Sequence, residues 1–365
     1  MKFVLSGGGT AGHINPALAL AEVLQEQGHV VYFAGTPQGV EARLVPDAGI
    51  PFESFVATGF NRAHPTSIVS AVKHMFKSTK AAKIWLEEIK PDAVVCFGGY
   101  VCIPVGRAAH KLTIPLIVHE QNSVMGLANK YLAKTADAIA LTYKEANLPL
   151  GKRRKSVLTG NPVRSAVVKT TREQGRGFLE IDDNKLVLLI FGGSLGARHI
   201  NSAIVDLKDK LLGRDNLVVV HVSGPKEYDA VRDSLCLTTE EARRWKLFAY
   251  QDRMGEVLAA TDIVLARAGA TSLAEISALK IPALLVPFPY ATQDHQTTNA
   301  RFYVEQGAAF MIADKDLDSP EFEKLLFALI DDQEIRENMR HAAAGFATEG
   351  AANRLADVVI EATLQ

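Results

Sequence analysis

One turn, carried twice, constrains this chain more than any other feature. Ser6–Asn15 reads SGGGTAGHIN and Phe191–Asn201 reads FGGSLGARHIN. The shared core is two glycines, a hydroxyl residue, one spacer and a glycine: Gly8-Gly9-Thr10-Ala11-Gly12, then Gly192-Gly193-Ser194-Leu195-Gly196. The copies are offset by 184 residues, about half of the 365-residue chain. Each follows a short apolar run, KFVL or LVLLIF, and precedes a stretch with helical apolar spacing. Both therefore read as strand, glycine turn, helix.

The same alternation continues in each half. KFVL, VVYFA, AVVCF, PLIVH and AIAL are strand candidates in the first half; LVLLIF, LVVVHV, KLFAY, DIVLA, PALLVP and AAFMI follow in the second. Strands alternating with helical segments imply βαβ units and parallel sheets, hence an α/β protein of two Rossmann-like domains. Asn15 is the expected N-cap of the first helix, with Pro16 at its first position and Gly28 beyond its end. The basic stretch PLGKRRKSVLTGNPVRS separates the halves. The expected division is 1–161, then 162–340, with 341–365 a C-terminal helical segment packing back on the first domain.

Residues 1–162 hold seventeen Lys and Arg against eleven Asp and Glu, a net +6, and the remainder is net −7. That asymmetry points the first half toward something anionic, lipid or phosphate, rather than nucleic acid. The three cysteines, Cys96, Cys102 and Cys236, are an odd count without metal-site spacing, so core positions in a reducing compartment are expected. No apolar run reaches the ~18 residues of a membrane span, and Phe3–Leu5 is too short for a signal-peptide core.

A glycine turn opening a helix lets backbone N–H groups approach an anion. A dinucleotide site would need an acid at the end of the following strand, and FAGTP and HVSGP supply none, which disfavours NAD. The second copy also spells G-x-S-x-G, the nucleophile elbow of serine hydrolases, around Ser194, with Asp262 or Asp294 and His295 as partners. That reading explains one copy. Paired nucleotide-sugar domains explain both.

A third turn, Ala268-Gly269-Ala270, follows DIVLA and opens a helix with Thr271 and Ser272 at its start and Glu275 one turn inside. Hydroxyls and N–H groups there suit a diphosphate, and the carboxylate suits a ribose. The alternative is a capping box, since Ser272-x-x-Glu275 has its spacing.

The segments GGGTAGHINPALALAEVL, GGYVCIP, HEQNSVMGLANKYLAK, GNPVR, GGSLGAR and AGATSLAEISALKIPALLVPFPYATQDHQTTNA, in that order, resemble the MurG family. These are N-acetylglucosaminyltransferases that make lipid II from lipid I in peptidoglycan synthesis. Ala11 and Leu195 stand where the family often has Gly and Gln. The resemblance implies a GT-B fold, two Rossmann-like domains facing across a cleft. It implies inverting transfer from UDP-GlcNAc to the 4-hydroxyl of undecaprenyl-pyrophosphoryl-MurNAc-pentapeptide, at the cytoplasmic face of the inner membrane and without a cofactor. The runner-up is a related transferase using the same donor on another acceptor. Thr10, Ala11, Gly12, Asn122 and Arg164 match positions that reach the donor from the first domain and linker. Ser194, the stretch Ala270, Thr271, Ser272, Leu273, Ala274 and Glu275, and Gln296 match the donor pocket of the second. Gln251 matches a position whose backbone meets the uracil.

Attack by a sugar hydroxyl on an anomeric carbon requires a base, and departure of UDP requires positive charge. His13, ending the first glycine turn, is the candidate base and Glu120 its rival, with His119 ending a buried strand. Arg164 and helix N-termini would offset the diphosphate charge without a metal. The run Asp314-x-Asp316-x-Asp318 lacks the glycine and late glutamate of a calcium loop and reads as capping the helix that begins Ser319-Pro320. In Thr66–Lys90, Lys73, Lys77, Lys80 and Lys83 form a helical stripe beside Val69, Val72, Met75 and Phe76, a pattern suited to an anionic membrane surface.

Overall fold

The computed structural model describes residues 1–57, 67–144, 155–193, 196–346 and 350–364, with side chains between 67 and 73 outside the description. Ser194, Leu195, residues 149–154 of the basic inter-half stretch, and the side chains of Val69, Val72 and Lys73 lie outside the described residues. The chain forms two compact units, Met1–Arg164 with Ala347–Gln365, and Ser165–Phe346.

In the first unit the strands are β1 (Lys2–Ser6), β2 (Val30–Gly35), β3 (Phe52–Ser54), β4 (Ala93–Cys96), β5 (Leu116–Glu120), β6 (Ala138–Leu141) and β7 (Lys155–Leu158). They build a parallel sheet in the order β3-β2-β1-β4-β5-β6-β7. The second unit holds β8 (Leu186–Phe191), β9 (Leu217–Val222), β10 (Trp245–Phe248), β11 (Ile263–Ala266), β12 (Ala283–Leu285) and β13 (Ala309–Met311). Its parallel order is β10-β9-β8-β11-β12-β13, so both units share the order 3-2-1-4-5-6, to which the first adds β7 as a seventh strand. The order reverses beside β1 and beside β8, the strands that feed the duplicated turns, and ligands of such sheets bind at that reversal.

The central strands β4, β5, β6, β9 and β11 are buried along their whole length, which is why they read as continuous apolar runs. Edge strands β3 and β7 escaped the sequence reading because they are largely exposed and lack such runs. The helix Ala351–Thr363 contributes Leu355, Val359 and Ala362 to the same core as Phe3, Leu5, Leu20 and Leu24, within the first unit. In the second unit Trp245, Phe322, Leu326 and Leu329 fill one face of the sheet.

Three sequence expectations are corrected. The first helix runs Ala11–Glu26 with Thr10 as its N-cap, not Asn15, so Pro16 lies inside it; the chain turns helical directly after the extended Thr10. Cys236 is exposed and left-handed at a helix end, unlike buried Cys96 and Cys102. On the helix Ser67–Ile89, Met75 faces inward, 9% exposed, while Phe76 and Ile84 face out at 59% and 57%.

Candidate active site

In the first unit three loops gather at the C-terminal ends of β1, β4 and β5. Gly9 takes φ +91° in the turn after β1, and Gly98 and Gly99 take φ +114° and +85° after β4. Gly8 N–H donates to Gly98 O at 3.2 Å. A Cβ on Gly99 would lie 2.4 Å from Gly8 O, so only glycine permits this approach. The two turns are thereby fastened together beside the strand-order reversal.

His13 stands on this platform in the first turn of the helix Ala11–Glu26. Its Nδ1 is 2.8 Å from Gly8 O, and its ring covers Gly98, where a Cβ would meet Cδ2 and Nε2 at 2.9 Å. A carbonyl only accepts, so Nδ1 carries the proton and donates. The neutral ring then holds its lone pair on Nε2, the tautomer a general base requires. Thr10, Ala11 and Gly12 flank it: Thr10 is exposed, and Ala11 and Gly12 are partly so. Ala11 is helical, so the residue that replaces glycine there meets no backbone penalty.

Glu120 is arranged otherwise. It is 1% exposed, and its Oε1 accepts from Asn122 N and Nδ2 at 3.0 and 3.2 Å. Its Oε2 accepts from Gly126 N at 3.0 Å and Asn129 Nδ2 at 2.9 Å. Four donors therefore hold the carboxylate as a brace for the loop after β5, and they orient Asn122. His119 donates from Nε2 to Gly160 O at 3.1 Å and accepts at Nδ1 from Gln121 at 3.0 Å. Burial lowers its pKa to about 4, so it is a neutral core residue. Arg164 reaches Glu22 on the first helix, Nε to Oε1 3.1 Å.

Sequence reasoning missed one acid at this end of the sheet. Glu41, fully buried, folds back from the helix Glu41–Asp47 to the underside of Gly8, where a Cβ would meet its Oε1 at 2.8 Å. It lies six residues past the end of β2, so a search for an acid at the strand end passes over it; the signal was the glycines around it, Gly8, Gly35 and Gly39.

The second unit gathers the donor-pocket candidates at the C-terminal ends of its own strands. Gly193 takes φ +91°, and Gly196 φ +79° with no room for a Cβ, which would lie 2.1 Å from Ser223 O. The helix Ala270–Ala278 follows β11, capped by Gly269, whose lack of a side chain leaves no side-chain bond from the cap residue. Ser272 is the third helical residue and Glu275 the sixth, so they do not form a capping box. Ala270, Thr271, Leu273 and Ala274 are buried, while Ser272 and Glu275 are partly exposed. Gln296 Oε1 accepts from Ala268 N at 3.2 Å and Phe288 N at 2.9 Å, tying the loops after β11 and β12. Gln251, in the loop after β10, accepts from Arg253 N at 3.0 Å. A cavity of about 560 Å³ runs elsewhere, along the outer edge of β10 near Phe178, Tyr228 and Trp245.

His199, on the helix Arg198–Asp206 behind the second turn, places Nδ1 2.9 Å from Asp314 and Nε2 3.2 Å from Asp318. Arg267 pairs with Asp314 at 2.6 Å. The hydrogen bond that its ring donates to Asp314 raises the His199 pKa. These aspartates thus secure the rim of the sheet. Among the described residues, no group of three or more His, Cys, Asp or Glu side chains is placed to hold a metal ion.

A hydrolase triad with Asp262 does not assemble. Asp262 precedes β11 and binds Val187 N at the start of β8, whereas Gly192 and Gly193 follow the far end of β8. About one strand length, ~15 Å, separates them. Asp262 instead pairs with Arg176 at 3.0 Å and Arg172 at 2.8 Å. His295 Nδ1 is turned to Thr292 O at 2.8 Å, and Asp294 accepts from Thr297.

Comparison with known proteins agrees with this fold. Residues 3–141 match the glycosyltransferase family 28 N-terminal domain and residues 187–355 the family 28 C-terminal domain. The chain is 40% identical over 364 residues to the UDP-N-acetylglucosamine–N-acetylmuramyl-(pentapeptide) pyrophosphoryl-undecaprenol N-acetylglucosamine transferase of Leuconostoc mesenteroides, covering 99% of each chain. It is 40% identical over 363 residues to the protein of the same name from Bacillus licheniformis, covering 99% of this chain and 98% of the relative. The crystal structure of Acinetobacter baumannii MurG superposes with a TM-score of 0.73 at 28% identity over 99% of both chains. A UDP co-structure of Staphylococcus aureus MnaA shares the fold, with a TM-score of 0.70 at 16% identity, covering 97% of this chain and 94% of that one.

Proposed function

This chain belongs to glycosyltransferase family 28, and from that membership we infer that it moves GlcNAc from UDP-GlcNAc to the 4-hydroxyl of undecaprenyl-pyrophosphoryl-MurNAc-pentapeptide. It is a GT-B glycosyltransferase of peptidoglycan synthesis. The observation that carries the chemistry is the His13 Nδ1–H bond to Gly8 O, which leaves Nε2 ready to accept a proton. The acceptor's 4-oxygen attacks the anomeric carbon from the face opposite UDP; the new C–O bond forms as the bond to the diphosphate breaks, inverting the centre. The acceptor's proton passes to His13 Nε2. The positive helix end at Ala270 offsets the charge that develops on UDP.

In this reading the first unit handles the acceptor and the second holds the donor, with Thr271 and Ser272 at the diphosphate, Glu275 at the ribose and Gln296 in the same donor pocket. Glu120 positions Asn122 rather than taking the proton, because both its oxygens are already engaged. The helix Ser67–Ile89 is the membrane contact, since Lys77, Lys80, Phe76 and Ile84 share one exposed face. No helix among the described residues is long and apolar enough to cross a membrane. The enzyme then works as a peripheral protein at the cytoplasmic face of the inner membrane.

The test is to offer UDP-GlcNAc, with UDP-GalNAc and UDP-glucose as controls, to a short-chain analogue of the lipid acceptor. Release of UDP with GlcNAc transfer is expected for the first donor. No release with any donor would sink the reading.

A further inference from the structure

Behind the turn that carries His13 lies a carboxylate that touches no ligand surface. Glu41 is 0% exposed. Its Oε1 accepts from Thr36 N at 3.0 Å and Thr36 Oγ1 at 2.6 Å, while its Oε2 is buried without a hydrogen-bond partner. Three glycines make room for it. A Cβ would lie 2.8 Å from its Oε1 at Gly8, 2.1 Å from its Oε2 at Gly39, and 2.6 Å from its Cγ at Gly35. An unpaired buried carboxylate oxygen is costly, and an apolar side chain would fill the same space without that cost. In dinucleotide-binding sheets an acid after the second strand meets a ribose; here the acid is enclosed, so it acts on protein.

Beside it runs Gly8, with so little space between them that a Cβ there would lie 2.8 Å from Glu41 Oε1. On the far side of that residue, Gly8 O accepts from His13 Nδ1, Gly8 N–H donates to Gly98 O at 3.2 Å, and Gly99 packs at a distance that excludes a Cβ. The Gly8 peptide is therefore held between Glu41 and the Gly98–Gly99 turn, with its carbonyl aimed at the imidazole. Without that carbonyl a neutral imidazole in water favours the proton on Nε2, the tautomer that has no lone pair where the base needs one. We propose that Glu41 is a positioning residue for the transfer, fixing the Gly8 carbonyl that sets the tautomer of His13. The proposal rests on the assignment of His13 as base.

The test uses the full-length enzyme with 15N-labelled histidine, the His13 signals being assigned by their loss in His13→Ala. Wild type should show Nδ1–H at His13. Glu41→Ala should give a mixture shifted toward Nε2–H and lower kcat by about tenfold to a hundredfold, with the KM for UDP-GlcNAc within about twofold of wild type. Glu41→Gln, which keeps the volume and one acceptor, should recover most of both. Thr36→Val, a smaller change of similar shape, should move both readouts in the same direction and decides the matter if Glu41→Ala does not fold. Folded Glu41→Ala with an intact Nδ1–H form, whether or not turnover falls, overturns the proposal, as does an unmoved Thr36→Val. A His13→Ala enzyme with normal turnover would instead remove the base assignment, while the tautomer still judges the Glu41 contact.

Discussion

The two glycine turns begin with the same backbone and diverge where each enters its helix. Gly9 and Gly193, equivalent at the 184-residue offset, both take φ +91° and both face open space. After Gly9 the chain becomes helical at Ala11, two residues on; after Gly193 it does so only at Arg198. Gly12 is accordingly helical, whereas its counterpart Gly196 is left-handed at φ +79°. The early helix start puts His13 against Gly8, and the equivalent position in the second unit is Ala197. A single strand-turn-helix device thus ends in two ways: in the first unit it brings the His13 ring onto the Gly8 carbonyl, and in the second the helix starts later, at Arg198.

The largest effect should come from breaking the half that carries His13. His13→Ala is expected to lower kcat by ~10²–10⁴-fold with the KM for UDP-GlcNAc little changed. Glu120→Gln places an amide among four donors, so it should destabilise the loop by ~1–3 kcal/mol, read as a fall in Tm. Normal turnover in His13→Ala with abolished turnover in a folded Glu120→Gln would transfer the base role to Glu120.

The proposed membrane contact rests on the positive charge of the first half of the chain. Changing Lys73, Lys77, Lys80 and Lys83 together to Glu should abolish binding to anionic vesicles, at ~1 kcal/mol per lysine near the surface. Lys83 should matter least, because it already lies 3.4 Å from Glu87. Turnover of a water-soluble acceptor analogue should survive. Undiminished vesicle sedimentation by the quadruple variant would show that another surface makes the contact.

The donor half is probed by Gly269→Asp. Gly269 has φ −67° and ψ 139°, and the nearest atom to a Cβ would be Ser272 Oγ at 3.9 Å, so the side chain fits. As an N-cap, aspartate should stabilise the helix by roughly a few tenths of a kcal/mol. Its charge should oppose the diphosphate, raising the KM for UDP-GlcNAc by about tenfold or more. Stability and affinity then move in opposite senses; an unchanged KM would remove the diphosphate from this helix end.

Much of this architecture was readable in the residues, for reasons that also explain the failures. Four strands of the second unit, β8, β9, β11 and β12, show in the sequence because buried parallel strands are continuous apolar runs, and the partly buried edges β10 and β13 keep enough apolar residues to follow them. The glycine turns show because only glycine tolerates their φ. Glu120 looked like a base because it ends a strand where ligands gather; only the folded loop brings Asn122, Gly126 and Asn129 onto its oxygens. Ser272 and Glu275 have capping-box spacing, yet the helix begins two residues earlier at Ala270. Met75 lies beside the lysines in the helical projection, but the sheet side of the helix claims it.

The smallest expected effect lies behind the second turn, where His199 has no counterpart in the first unit; the equivalent position is Asn15. Bonds to Asp314 and Asp318 raise the His199 pKa above its ordinary value. A group whose folded pKa is raised adds stability that is complete below its unfolded pKa, about 6.5, and is lost as pH rises through the folded value. The ring is about a third exposed, at 31%, and Asp318 is 73% exposed, so solvent screening limits the contribution to under ~1 kcal/mol. His119 and His221 run the other way, since burial lowers both to about 4 and their charging destabilises the fold as pH falls. Denaturant titrations of wild type and His199→Gln across a range of about pH 5.5–8.5 should therefore converge at the alkaline end and separate toward about pH 6, with wild type the more stable. Parallel curves would mean that Arg267, which pairs with Asp314 at 2.6 Å, holds this rim without help from the imidazolium.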